Sequence, residues 1–143
     1  MAVVVKRVYE KASPADGTRV LVDRLWPRGI SKKVAALDAW LKELAPSDEL
    51  RVWSHAHREG WAMFRKRYLK ELARPEAIQQ LQELYRLARG RKRLTLLYAF
   101  KDEEHNNAVV LKDLLDGMKK PPTGTGPAAA GATRLRKAAR RPA

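Results

Sequence analysis

Residues 94–100 form a nearly continuous apolar run with charged residues on both sides. Such a run is typical of a strand that is buried on both faces of a parallel sheet. Two earlier stretches, residues 3–9 and 20–23, are also rich in β-branched and apolar residues, and a long helical stretch separates them from the third. Because a strand, a helical crossover and a further strand form a right-handed parallel unit, we predict an α/β fold. Its sheet should be small, mostly parallel and flanked by helices.

Four stretches show the spacing of apolar residues by three and four that is typical of an amphipathic helix. The first follows a predicted N-cap at Ser31, ends at Pro46, and carries Val34, Leu37, Trp40, Leu41 and Leu44. The second and third, on either side of Pro75, carry Trp61, Phe64, Tyr68 and Leu72, then Ile78, Leu81, Leu84 and Tyr85. We expect Asp102 to cap the fourth, whose apolar face consists of Ala108, Val109, Leu111, Leu114 and Leu115.

Charge is distributed unevenly along the chain of 143 residues. Length and a hydrophobic share of 45% fit one globular domain, which we place at residues 1–118. Residues 119–143 hold seven basic residues and no acidic one, and so carry half of the net charge of +14. Because residues 121–132 are rich in Pro, Gly and Ala, we predict a disordered basic C-terminal tail. It either binds DNA or RNA through phosphates without reading sequence, or acts as a solubilising extension.

The chain contains no cysteine. This excludes disulfides, thiolate catalysis and cysteine-based metal sites, and it fits a cytoplasmic protein. Residues 1–5 are a short apolar run that ends at Lys6, so we predict no signal peptide. No run approaches the roughly 18 apolar residues of a membrane span. We therefore expect a cytoplasmic location and no membrane partner, and the oligomeric state stays open.

The loop after the second predicted strand is the strongest candidate for a binding site. Loops at the carboxyl ends of strands hold the ligands of open α/β sheets. Asp23 begins this loop, and Arg24 and Arg28 can each fork onto a phosphate or carboxylate. Trp26 can line a ligand, and Gly29 permits a tight turn or a close approach. The alternative is structural: Asp23 pairs with an arginine, and Trp26 belongs to the core.

A second polar loop follows the strand at residues 94–100 and contains Lys101, His105 and Asn106. If the two strands are parallel neighbours, both loops open on the same edge of the sheet. The second loop also begins a helix, whose free N–H groups favour an anion. His105 and Asp23 are the candidate pair for proton transfer. The alternative for His105 is a histidine bonded to the backbone at a helix N-terminus.

Metal and cofactor motifs are sparse. His55 and His57 could share a face on a strand, but a zinc site usually needs three protein ligands, and only one further histidine exists. We predict no metal, and we place these residues in a surface loop. With no Gly-rich phosphate loop and no dinucleotide fingerprint, we also predict no cofactor. The aromatic residues among Arg65, Lys66 and Arg67 are more often core than a surface for stacking on nucleic-acid bases.

Ordered motifs resemble a known family over residues 1–115. The matching segments are Lys6-Arg7-Val8-Tyr9-Glu10, Asp16-Gly17, residues 19–29, residues 37–47, Leu50-Arg51-Val52-Trp53, Trp61, Phe64, Arg67-Tyr68 and residues 94–106. They are similar to the bacterial domain of unknown function 488 (DUF488) family, in its YeaO-like branch. The resemblance implies a small α/β protein and supplies no activity. Other branches of the family look to carry a cysteine-containing motif after the corresponding strand, where this chain has His105-Asn106. It adds Arg7 and His55 to the ligand-binding candidates.

Two functions from different classes follow from these patterns. The first is an anionic small-molecule site, for a ligand that bears phosphate or carboxylate, at the ends of two strands; enzyme and sensor both stay open. The alternative is a nucleic-acid-associated binding protein that uses the basic surface and tail.

Overall fold

The computed structural model describes residues 2–123. Its sheet has four strands in the order β1-β4-β2-β3, and every neighbouring pair is parallel. The strands are β1 (Val3–Arg7), β2 (Thr18–Leu21), β3 (Ala39–Trp40) and β4 (Leu94–Tyr98). The predicted parallel α/β fold is therefore confirmed.

Five α-helices connect or follow these strands. They are α1 (Lys32–Ala35), α2 (Asp48–Ala56), α3 (Trp61–Glu71), α4 (Pro75–Ala88) and α5 (Asn107–Gly117). Ser31 and Ser47 cap α1 and α2 by accepting from the N–H groups of Val34 and Leu50. Pro75 stands at the first position of α4, where its missing N–H would have no helical partner in any case.

The central strand β4 explains the apolar run that identified it. Its five residues are all buried, because β1 and β2 cover its two edges and packed side chains cover both faces. Leu94, Leu96 and Tyr98 belong to the main core, which also includes side chains of α3, α4 and α5. Leu97 points to the opposite face, as alternation along a strand requires. There it packs with Val8 and Leu21 in a smaller cluster.

The helix predicted between Ser31 and Pro46 is wrong. Helix α1 spans a single turn, and Ala36 then takes a left-handed conformation with φ of 49°. The chain turns and adds β3 to the sheet beside β2. Here strand pairing outweighs the helical spacing, because Trp40 and Leu37 complete the smaller cluster next to Leu21.

The described chain extends beyond the predicted start of the tail. Pro122 is buried, and its carbonyl accepts a 3.0 Å hydrogen bond from Gln82 Nε2 of α4. Residues 124–143, which contain most of the predicted disordered basic tail, lie outside the described residues. Within the described part, no helix has both the length and the apolar character of a membrane span.

Candidate functional site

A cavity of about 400 Å³ opens where β2 and β4 end. The two strands are parallel neighbours, with Leu21 beside Leu97, so the loops that follow them meet at one edge of the sheet, as predicted. The segments around the start and end of α2, the start of α3 and the start of α5 complete the wall. Its lining includes Tyr9, Asp23, Arg24, Trp26, Arg28, Arg51, His55, Arg58, Trp61, Phe64, Phe100, Asp102, His105, Asn106 and Asn107.

Asp23 is fixed in this wall by two donors. The Ala99 N–H lies 2.9 Å from its Oδ2, and Asn107 Nδ2 lies 3.1 Å from its Oδ1. Burial raises the pKa of Asp23, and the hydrogen bonds from Asn107 and Ala99 oppose that effect only in part. No cation lies within salt-bridge distance of it among residues 2–123, so the alternative of an Asp23–arginine pair is wrong.

Sequence reasoning missed Asn107, which positions Asp23. Its amide also donates to the Val22 carbonyl at 2.9 Å, and it thereby ties α5 to the end of β2. The residue is buried although it is polar and stands at the first position of a helix. The pair Asn106-Asn107 before an apolar helix could have indicated this role, because a helix needs only one of the two residues as its N-cap.

The start of α5 differs from the prediction. Asn106, not Asp102, is the N-cap: its Oδ1 accepts from the Val109 N–H at 3.0 Å. Its Nδ2 donates to the Asp102 carbonyl, so this predicted ligand-binding residue also has a structural role. Asp102 instead closes the preceding turn by accepting from the N–H groups of Glu104 and His105. Aspartate is common both in such turns and at helix N-caps, which explains why the cap was assigned to the wrong residue.

His105 lies before the helix and lines the cavity, exposed to solvent. Its Nδ1 is 3.5 Å from Asp102 Oδ2, and its ring lies 4.8 Å from that of Trp61. The backbone N–H groups of Glu104 and His105 hold the pKa of Asp102 below its ordinary value. His105 and Asp23 form no hydrogen bond with each other in the described chain, so their pairing in proton transfer stays a prediction.

The two arginines of the first loop differ in their contacts. Arg24 donates to the Ala45 carbonyl at 3.4 Å and lies 4.0 Å from a Glu43 carboxylate oxygen. Arg28 is exposed, and within residues 2–123 its guanidinium forms neither a hydrogen bond nor a salt bridge. The backbone carbonyl of Arg28 accepts a hydrogen bond from the Tyr9 hydroxyl at 3.0 Å. This contact fixes the loop and leaves the guanidinium group of Arg28 uninvolved.

Two further cations line the cavity that the sequence did not assign to the site. Arg51 of α2 and Arg58, which follows that helix, bring the total to four arginines against two aspartates. Arg51 lies 3.5 Å from Asp48, whereas Arg58 has no hydrogen bond or salt bridge to another described residue. Their contribution depends on the packing of α2 across the sheet edge.

Aromatic side chains form another part of the wall. Trp61 stacks on Phe64 with centroids 5.5 Å apart, and His55 lies 5.4 Å from Phe100. His55, predicted in a surface loop, in fact belongs to α2, and His57 ends that helix with its ring against Trp53. The described residues contain no group of three or more metal-ligating side chains of the kind that holds an ion.

Trp26 lines the cavity and also packs in the smaller cluster, edge to face with Trp40 at 5.4 Å. Its indole donates to the Ile30 carbonyl, which closes the loop.

Three predicted ligand-binding residues lie outside the lining of the cavity. Arg7, at the end of β1, donates to the carbonyls of Ala99 and Phe100 at 3.0 Å and so supports the segment that holds Asp23. Gly29 has φ of 75°, which confirms the tight turn. Lys101 is exposed.

Fold and site together define a small parallel α/β protein with an arginine- and aromatic-lined cavity at the carboxyl edge of its sheet. Residues 2–129 match the family model described as the inactive DUF488-N3 subclade, and the chain belongs to the DUF488 family. This confirms the resemblance found in the sequence.

The chain is similar to uncharacterised proteins of two bacteria. It is 50% identical to the uncharacterised protein YeaO of Escherichia coli K12 over 120 residues, which cover 82% of this chain and all of YeaO. It is 43% identical to the uncharacterised protein Rv3073c of Mycobacterium tuberculosis H37Rv over 113 residues, 79% of this chain and 92% of the relative. No solved structure matches the chain.

Proposed function

We propose that this protein binds a small anionic molecule, bearing phosphate or carboxylate, in the cavity at the ends of β2 and β4. The observation that carries the proposal is the pair Arg28 and Arg58. Both guanidinium groups line the cavity and have no salt bridge within the described chain. Guanidinium groups bind phosphate and carboxylate through two parallel hydrogen bonds, so a ligand of this class satisfies donors that are otherwise left to water.

The volume and composition of the cavity support binding of a small molecule. About 400 Å³ lies within the roughly 300–1,000 Å³ of ligand sites, which combine an apolar wall with a few polar groups. Here Trp61, Phe64 and Phe100 supply the apolar wall. The matched subclade is described as inactive, which favours a binding protein over a catalyst.

Binding of phenyl phosphate and of inorganic phosphate tests this proposal. Trp26 and Trp61 line the cavity, so their fluorescence reports occupancy, and calorimetry gives the affinity. We expect saturable binding that Arg28→Ala and Arg58→Ala each weaken by roughly tenfold or more, the usual effect of a hydrogen bond to a charged group. The melting temperature should stay nearly unchanged, because neither guanidinium loses a hydrogen bond or salt bridge to the described chain.

Lys66→Ala is the matched control, because Lys66 is an exposed cation of α3 outside the cavity. It lowers the net charge by the same amount and should leave the affinity within about twofold. Equal losses from Lys66→Ala and Arg28→Ala would show that only the overall charge attracts the anion. Absence of saturation by both probes would contradict the proposal outright.

A second proposal is non-specific binding of DNA or RNA, favoured by the net charge of +14. Phosphate contacts of this kind make the affinity depend steeply on salt. The basic residues concerned are concentrated near the C-terminus.

A further inference from the structure

The Asp23 carboxylate does not contribute to binding an anion, because its negative charge repels one. It lines the same cavity as four arginines, yet its oxygens have no cationic partner within residues 2–123. Each oxygen accepts one hydrogen bond, from Ala99 or from Asn107. A carboxylate has about four acceptor positions, so each Asp23 oxygen retains one. Such a group can accept two neighbouring donors from a ligand.

The surroundings of Asp23 restrict what those donors can belong to. A cationic donor such as a guanidinium or amidine is disfavoured by Arg28 and Arg58, which line the same cavity and form no salt bridge with the described chain. The aromatic pairs Trp61–Phe64 and His55–Phe100 favour a flat ring. Every nucleobase has such a face, and stacking on aromatic side chains contributes substantially to the affinity.

We infer, on the basis of the proposed anion site, that the ligand consists of a neutral, planar heterocycle and an attached anionic group. The heterocycle presents two adjacent N–H donors to the Asp23 carboxylate, and the anionic group binds the arginines. A guanine ring presents this edge through N1–H and its 2-amino group, and a pterin ring shares it. Adenine presents a ring-nitrogen acceptor at the corresponding edge, which a carboxylate repels. No Gly-rich phosphate loop is needed, because side chains rather than backbone supply the contacts.

The test compares four probes on the full-length chain by calorimetry: guanosine 5′-monophosphate, adenosine 5′-monophosphate, ribose 5-phosphate and inorganic phosphate. We expect the guanine nucleotide to bind roughly 10- to 100-fold more tightly than the adenine nucleotide, since two hydrogen bonds to a charged acceptor are at stake. Ribose 5-phosphate and phosphate should bind more weakly than either nucleotide. In Asp23→Asn the guanine preference should be lost, while the affinity for ribose 5-phosphate falls by no more than about twofold or rises, because a negative charge has been removed.

The probes separate this inference from the proposal on which it rests. If phosphate and ribose 5-phosphate bind and Arg28→Ala weakens them, but the two nucleotides bind equally, the anion site stands and the inference is overturned. An unchanged preference in Asp23→Asn overturns it as well. If neither phosphate nor ribose 5-phosphate binds, the anion site itself is wrong. The comparison of nucleotides on the unaltered chain decides the matter even if Asp23→Asn fails to fold.

Discussion

Two glycines with positive φ show how backbone conformation and packing act separately on one residue type. Gly17 precedes β2 with φ of 67°, and a Cβ built there would lie 2.2 Å from the Arg93 carbonyl oxygen. Gly29 has φ of 75°, and nothing lies within 4 Å of the corresponding position. Both positions disfavour side chains, but only Gly17 also lacks space.

We predict that Gly17→Ala lowers the free energy of unfolding by at least about 3 kcal/mol, because backbone strain and a clash with fixed backbone add. Gly29→Ala is the matched control and should cost only about 1–2 kcal/mol, the strain alone. Urea denaturation of both variants measures the difference. Equal losses would show that the Gly17–Arg93 contact relaxes easily.

Single residues also mark the limit of sequence-based site prediction. Asp23, Arg24, Trp26, Arg28, His55, His105 and Asn106 were predicted and do line the cavity. Arg7 was predicted as a ligand-binding residue, but its guanidinium is engaged by two backbone carbonyls. The residue type indicates what a side chain can bind, whereas the free or occupied state of its donors depends on neighbours distant in sequence.

A buried charge network joins two strands, β1 and β2, through the turn that precedes β2. Asp16 accepts from Lys6 Nζ at 3.0 Å, from the Ser13 N–H at 3.0 Å and from Arg19 Nη1. Burial alone raises the pKa of Asp16, but these hydrogen bonds from Lys6, Ser13 and Arg19 outweigh it, so the pKa lies below its ordinary value of 3.8. The network stabilises the fold only while the carboxyl is ionised.

The unfolded chain therefore binds a proton at Asp16 more readily than the folded chain does. The free energy of unfolding consequently falls as the pH falls below the pKa of Asp16 in the unfolded chain and toward its lower value in the folded chain. We predict that the free energy of unfolding drops more steeply between about pH 5 and about pH 3 in the natural chain than in Asp16→Asn. At neutral pH the variant should be roughly 3 kcal/mol less stable, since Arg19 stays buried without its partner. Parallel pH slopes for the two proteins would contradict this assignment.

Elements were predictable where their own residues determined them. Helices α3 and α4 and strand β4 follow from apolar spacing within one segment. The segment after Ser31 has the apolar spacing of a helix, but its pairing with β2 makes part of it a strand. A strand of two residues, β3, has too little sequence to show a period of its own, so only the edge of the sheet decides its conformation.

For the whole molecule, the concentration of charge near the C-terminus leads to the test of nucleic-acid binding. Residues 124–143 contain Arg134, Arg136, Lys137, Arg140 and Arg141. If they contact phosphates, deleting this segment should flatten the log–log dependence of duplex DNA affinity on salt by several units, at roughly 0.9 per phosphate neutralised. All DNA sequences should be weakened alike, because phosphate contacts carry no sequence information.

Replacing these five basic residues by Gln in the full-length chain is the matched control, since it removes the charge and keeps the length. It should reproduce the effect of the deletion. An unchanged salt dependence in both variants would assign the contacts to other residues. Negligible DNA binding by the natural chain at about 50 mM salt would contradict the nucleic-acid proposal.

Local sequence patterns were enough to predict the parallel α/β class, the central strand, the two long helices and the edge of the sheet at which polar loops meet. These features depend on patterns within single segments, in which neighbouring residues report their own burial. Three features became evident only from the packed fold: β3 is a strand, Asn107 rather than an arginine holds Asp23, and Arg51 and Arg58 complete the cavity. Those outcomes depend on contacts between segments far apart in the chain, whose geometry no local pattern encodes.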